Sequence, residues 1–275
     1  MAGIVALTAV NENCGRDRRE VASALAANAF KLKIRPRSWA NGSNGRFSRG
    51  SFMTVQPRPD VEPQLHPITA DHATHFSDLV HWRRDVRRFR RQPVPPAVLD
   101  KVLALADLAP SVGNSQPWRI INVVMPEFRA QMRANFEAAN QLAAEAYANP
   151  AERAGYLALK LAGFDTAPVH LAIFCDGSTA QGRGLGRQTM PEMLNYSCVA
   201  MITTLWYAAR AEGLGMGWVS ILDPGHVRTA LSVTESWSLI AYLLLGEPED
   251  QHIDPELERF GWQKRTPAST RLLQR

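Results

Sequence analysis

Between Arg83 and Arg91 the chain places six arginines, one carboxylate and two apolar residues: Arg83, Arg84, Asp85, Val86, Arg87, Arg88, Phe89, Arg90 and Arg91. Arginine holds phosphate well, because its planar fork donates several hydrogen bonds at once and keeps its charge. Such a segment can grip a phosphorylated ligand and set Asp85 over the reactive part of it. Nearby positive charge lowers a carboxylate pKa, so the cluster predicts an ionised Asp85. On charge alone the plainer reading is a solvated basic face with an internal ion pair. Two other polar signals weigh against it. One is the turn Ser111-Val112-Gly113-Asn114-Ser115-Gln116-Pro117-Trp118. The other is Ser220, the single polar side chain in the apolar run 217–222. Each has its own plain explanation, as a connector or as a hydrogen-bonded core serine.

Other chemistries have little support. His72 and His75 stand at a ligand-like spacing, but no second pair accompanies them, so no metal site is expected. The three cysteines, Cys14, Cys175 and Cys198, form no Cys-x-x-Cys pair. The last two lie in apolar surroundings and read as buried thiols. Of the net charge of +5, residues 1–75 contribute ten basic minus six acidic residues, or +4. The other 200 residues carry 21 minus 20, or +1, which leaves no basic face for nucleic acid on the main domain. No run approaches the roughly 18 apolar residues of a membrane span. The apolar start Met1–Leu7 is too short for a signal segment, which predicts a cytoplasmic protein.

The elements that must position these residues begin near Phe76. Residues 1–75 read as an arm outside the main domain. It has one short helix at Arg19–Phe30, a Gly/Ser/Asn/Arg linker at Ser38–Ser51, and Met53 as a candidate true start. From 76 to 275 the pattern gives one domain. A short helix from Phe76 leads into the arginines. Pro95-Pro96 opens a helix with Val98, Val102, Leu105 and Leu108 on one face. After the Ser111 turn come a strand at 119–125, a helix at 127–147, a second helix at 151–162 and a buried strand at 168–176. Gly182, Gly184 and Gly186 sit in a loop without dinucleotide-fingerprint spacing, and a mobile lid suits it better. The helix Met190–Glu212 is apolar nearly all round, which marks a buried central helix. Gly213, Gly215 and Gly217 end it. A strand at 217–222 carries Ser220, Asp223-Pro224 caps a short helix, and 237–246 is the last strand. Helix and strand alternate without a regular βαβ rhythm. The fold class is therefore α+β, with helices packed on a mostly antiparallel sheet.

Taken together, Arg83-Arg84-Asp85-Val86-Arg87, the Ser111–Trp118 turn, Gly215-Met216-Gly217-Trp218 and the basic tail at Arg265 resemble the nitroreductase-like flavoprotein superfamily. Within it, Trp82–Phe89, Ala109–Gly113, Gly184–Glu192 and Gly217–Asp223 resemble the branch that consumes its flavin. Ordinary members usually carry serine or threonine where Asp85 stands. The resemblance covers about residues 76–275. It implies FMN, reduced and bound as a substrate, and dioxygen as co-substrate. The products would be 5,6-dimethylbenzimidazole, the lower ligand of vitamin B12, and erythrose 4-phosphate. It also implies no metal, a separate reductase supplying the flavin, and a homodimer with flavin at the subunit interface. By the same resemblance Arg83, Arg84 and Arg87 would bind the phosphate and ribityl region, with Val86 beside them. Lys264 or Arg265 would close on the phosphate. Ser111 and Asn114 would lie along the flavin edge. Asp85 would move protons, a base suiting its cationic setting more easily than an acid. Ser220 would orient the reacting flavin, and the loop 182–190 would close the site against water. Two alternatives share the arginine cluster: an NAD(P)H-dependent nitroreductase or flavin reductase, and a non-catalytic flavin-binding protein.

Overall fold

The computed structural model describes residues 67–158 and 163–274, and these fall within one unit, Leu65–Arg275. The expected helix at 19–30, the linker at 38–51, Met53 and Cys14 lie outside the described residues. The described chain runs through α1 (Ala70–Trp82), α2 (Pro96–Ala106), a 3-10 turn (Val112–Asn114), β1 (Trp118–Asn122), α3 (Pro126–Glu145), α4 (Pro150–Ala158) and α5 (Gly163–Thr166). It continues through β2 (Val169–Asp176), α6 (Met193–Ala211), β3 (Gly215–Val219), α7 (Pro224–Ala230), β4 (Trp237–Gly246) and α8 (Glu256–Arg259).

The four strands form one antiparallel sheet in the order β1-β2-β4-β3. All eight residues of β2 are buried, which explains their near-continuous apolar run. Alternate side chains serve two cores. Leu171, Ile173 and Cys175 join Val102, Met201, Ile202 and Leu205 on the α2/α6 face. Ala172 and Phe174 join Met132, Phe136, Phe164 and Tyr242 on the other. Helices thus cover both faces of the sheet. The α6 helix touches α1, α2 and all four strands, as expected of a central helix.

Several boundaries differ from the sequence reading. Leu105 on α2 and Leu108, two residues past its end, face solvent, and the buried stripe is Val102 and Ala106 with Val98, Leu99 and Leu103 beside it. The helix buries the rows 98/102/106 and 99/103, not the row that reaches Leu108. The α6 helix starts at Met193, three residues later than expected, and leaves Tyr196 and Val199 exposed. The β1 strand stops at Asn122, because Met125 and Pro126 already open α3. The β3 strand starts at Gly215 and ends at Val219, so Ser220 lies just past it and is exposed.

The two glycines of β3 have a steric cause. The segment after α1 crosses the free edge of β3, where Asp85 pairs with Met216 as a parallel bridge and Val86 N donates to Met216 O at 3.0 Å. A Cβ on Gly215 would stand 2.7 Å from a Val86 methyl, and one on Gly217 would stand 2.3 Å from the Val86 carbonyl oxygen. Further along, Phe89 is fully buried and bridges to Pro248. Arg90 N donates to Glu247 O and Glu249 N donates to Arg88 O. The arginine segment is therefore a pinned, extended strap.

Gly217→Ala forces the strap off β3. We expect a loss of about 2–3 kcal/mol of stability in urea unfolding, against less than about 1 kcal/mol for alanine at open Gly155.

Candidate active site

The strap is extended, so its side chains alternate and the arginines divide into two sets. Arg84 points toward the C-terminal segment: its Nε donates to Ile253 O at 2.7 Å and its Nη1 to Arg83 O and Val80 O. Arg88 pairs with Glu256 at 3.6 Å and Arg90 with Glu247 at 3.6 Å. Arg84, Arg88 and Arg90 thus meet an acidic stretch, 247–258, that the sequence reading did not connect with them. Exposed pairs of that length contribute little stability. Their effect is to neutralise this side of the strap.

Arg83 and Arg87 belong to the other set, with Asp85 between them. The guanidinium of Arg83 lies over the Trp206 ring, 4.7 Å from its centroid. Arg87 Nε donates to Asp85 Oδ2 at 3.3 Å, and Trp218 N donates to Asp85 Oδ1 at 3.0 Å. Asp85 lines a recess with Arg84, Arg87, Arg88 and Glu256, so members of both sets reach it, and 36% of its side-chain surface stays open. Its carboxyl is held above the ordinary carboxylate range, because desolvation deep in the protein outweighs the Trp218 N–H and Arg87. This corrects the expected sign. Six neighbouring arginines predict an anion. In the fold, however, Arg87 is the one arginine that touches the carboxylate, and loss of water decides the shift.

Val86 packs its side chain against Gly215. Arg265 stands near enough to Arg84 to help lower that guanidinium's pKa, after burial and Arg83. The tail thus returns to the cluster across 181 residues of sequence. Lys264 lies exposed beside Arg265 in that tail. Ser220 sits on the link between β3 and α7. That link is anchored where Asp223 caps α7 and Asp223 N donates to Asn135 Oδ1 at 2.8 Å. Ser220 is two residues beyond Trp218, roughly 6.6 Å of extended chain from the N–H that holds Asp85.

Ser111 and Asn114 are elsewhere. They precede β1, at the opposite edge of the sheet from β3, three strand spacings or about 14 Å away. Ser111 Oγ accepts from Gln116 N at 3.1 Å, and Asn114 takes a left-handed backbone with φ 55. The glycine loop docks on this turn: Gln181 Nε2 donates to Asn114 O and to Gln116 Oε1. Gly113 and Gly182 meet face to face, each too close to the other's carbonyl oxygen, 2.9 Å, for a Cβ. Turn and loop therefore form one unit, and a cavity lies between them, lined by Gly113, Asn114, Arg183 and Thr189. Within one chain, then, two groups are brought together separately. One is Asp85 with Arg87 and the Trp218 N–H, in a recess that Arg84 and Arg88 also line; Arg83 and Arg265 each approach Arg84, and Ser220 follows Trp218 along the chain. The other is Ser111 and Asn114 with the glycine loop. The sequence reading missed Trp206, because a tryptophan on an apolar helix reads as core.

A raised Asp85 pKa penalises the folded state where the carboxyl is ionised. The penalty is absent below the unfolded value near 4, grows as pH rises from there, and is complete above the folded pKa. Asp85→Asn removes it while Oδ1 still accepts from Trp218 N. Thermal scans should therefore show Asp85→Asn more stable than wild type at pH 7 and level with it near pH 3.5. Equal melting temperatures at both pH values would mean that Asp85 carries no such penalty.

Comparison with known proteins identifies the family. The Nitroreductase family pattern matches residues 80–247. A 5,6-dimethylbenzimidazole synthase of Rhodospirillum rubrum is 52% identical over 190 residues, 69% of this chain and 89% of the relative. One from Rhodobacter capsulatus is 47% identical over 197 residues, 72% of this chain and 95% of the relative. Among solved structures, an oxidised iodotyrosine deiodinase bound to FMN and 3-iodo-L-tyrosine superposes with a TM-score of 0.55 at 24% identity, covering 64% of this chain and 91% of that one. No described helix is long and apolar enough to cross a membrane. With its antiparallel sheet, its arginine strap and a family match across most of both, the chain belongs to the nitroreductase family of enzymes.

Proposed function

We propose that this chain is a 5,6-dimethylbenzimidazole synthase that consumes reduced FMN and dioxygen and releases 5,6-dimethylbenzimidazole and erythrose 4-phosphate. The half-identical relatives of that name, covered almost end to end, carry the reading. The flavin-handling domain is assigned to residues 76–275 together with the first turns of α1 from Ala70, six residues earlier than the sequence reading placed it, with the preceding residues as an arm.

The residues present fit FMN. Arg83 and Arg87 offer guanidinium groups on the inner side of the strap, and Arg265 approaches the same cluster. Arg84 is assigned a different share of the work: engaged with three backbone carbonyls, it holds the C-terminal segment against the strap. As substrate, reduced FMN supplies the ring carbons and electrons, and dioxygen is the oxidant. Asp85 holds or moves the proton. Its Oδ1 is fixed by Trp218 N, which leaves Oδ2 as the exchanging oxygen, with Arg87 steadying its anionic form. A carboxyl whose pKa is raised keeps its proton to higher pH than a free one, and can donate it as well as take it up. Ser220 orients the reacting end of the substrate. The loop 182–190 is docked on the Ser111 turn, so it would close the site of a second copy against water.

Ser111 and Asn114 cannot reach this site from the far edge of the same sheet, which supports a homodimer. The α6 helix supports it too. It is apolar nearly all round, yet Tyr196 and Val199 are exposed, and a helix of that composition is normally covered. A second copy docked there would cover it and bring its own Ser111 turn to the first copy's strap. A separate flavin reductase would supply the substrate.

The test is aerobic incubation of purified protein with chemically reduced FMN, followed by chromatography for 5,6-dimethylbenzimidazole. Oxygen-dependent product is expected from wild type. Asp85→Asn should still bind FMN while product formation falls by about 100-fold or more. Intact FMN with steady NAD(P)H oxidation would instead mark a reductase, and intact FMN with no turnover a flavin-binding protein. For the dimer, Val199→Asp should convert a dimer seen by light scattering into monomer. A wild type that is already monomeric would overturn that part of the reading.

A further inference from the structure

We propose that Trp206 is a positioning residue that holds Arg83 ready for the phosphate. This rests on the flavin reading above. The two arginines at the end of α1 are in opposite situations. Arg84 donates to three backbone carbonyls. Among the described residues the Arg83 guanidinium makes no hydrogen bond or ion pair, and the contact recorded for it is the face of Trp206. Its Cα is fixed where α1 ends, with Arg83 N donating to Leu79 O at 2.9 Å. A side chain with four rotatable bonds would otherwise sample many directions from that point. Stacking on an indole removes most of that freedom and leaves the in-plane N–H donors open for an anion.

The platform is itself rigid. Trp206 stands on α6, packs against the α2/α6 core, and lies 6.5 Å from the Trp218 ring. Trp218 is the residue whose backbone N–H holds Asp85. One aromatic pair therefore connects the phosphate end of the site to the proton-handling end. Trp206 Nε1 is also buried and has no acceptor among the described residues. An unpaired buried donor is uncommon in a native fold.

The experiment compares two ligands. FMN and riboflavin, which lacks the phosphate, are titrated into wild type, Arg83→Ala, Trp206→Leu and the double variant. Trp206→Met replaces Trp206→Leu if leucine leaves the chain unfolded by circular dichroism. Trp206→Leu should weaken FMN binding about fivefold and leave riboflavin unchanged. Arg83→Ala should lower the FMN-to-riboflavin preference further, and the double variant should match Arg83→Ala alone. Trp206→Phe, which keeps an aromatic face, should recover most of the preference. Equal loss for both ligands would mean that Trp206 only packs the core, and multiplying losses in the double variant would mean that it acts independently of Arg83. Either result overturns the inference. No change of preference in Arg83→Ala would instead overturn the phosphate reading, and the platform role with it.

Discussion

The Val86 carbonyl approaches β3 so closely that a single methyl group on Gly217 would lie 2.3 Å from its oxygen. The position of the arginine strap and of Asp85 follows from this crossing. It supplies the unpaired edge of β3 with a partner, which an exposed strand edge otherwise lacks. It also directs the Asp85 side chain onto the Trp218 N–H, a donor that a longer backbone ladder would have taken. Phe89, buried without exposure four residues on, holds the other end of the strap in the core. Backbone pairing at one end and apolar burial at the other keep a highly charged segment in one extended conformation.

Extension then sorts the charge. In a helix, six arginines among nine residues would spread around the axis and repel one another from all sides. In a strap their side chains alternate, and the two faces meet different surroundings. One face meets carbonyls and the carboxylates of Glu247 and Glu256. On the other, Arg87 meets the Asp85 carboxylate, and Arg83 lies over the Trp206 ring. Asp85 is therefore less surrounded by cations than its sequence neighbours suggest, and desolvation sets the direction of its pKa. Burial favours its neutral form while the Trp218 N–H and Arg87 favour the anion, and such opposed influences are common at functional carboxyls.

The α6 helix connects this edge with the rest of the domain. It carries Trp206 under Arg83, Ser197 Oγ accepting from Val112 N at 3.0 Å beside the Ser111 turn, and the exposed Tyr196 and Val199. One rigid element thus supports both groups of polar residues, although they stand at opposite edges of the sheet. A domain built this way holds the two groups at a fixed separation.

Much of this was legible in the sequence, for physical reasons. The β4 strand runs from Trp237 to Gly246 as its pattern predicts, because an unbroken apolar run between turn residues has few other solutions. Asp223-Pro224 caps α7 as expected, because the side chain and the proline act locally. The antiparallel α+β class and the family resemblance followed from pattern and motif. Other features depended on which segments meet across long stretches of chain. Gly215 and Gly217 read as a helix terminator, and only the crossing by Val86 shows why neither can carry a side chain. Ser220 read as part of a strand, but pairing with β4 ends at Val219. The ionisation of Asp85, the engagement of Arg84 and the support of Arg83 by Trp206 could not be read from local residues. Local patterns determine helices, strands and caps, because those forces act within a few residues. Burial and long-range contact decide what a charged side chain does, because solvent exclusion and charge depend on everything that surrounds it.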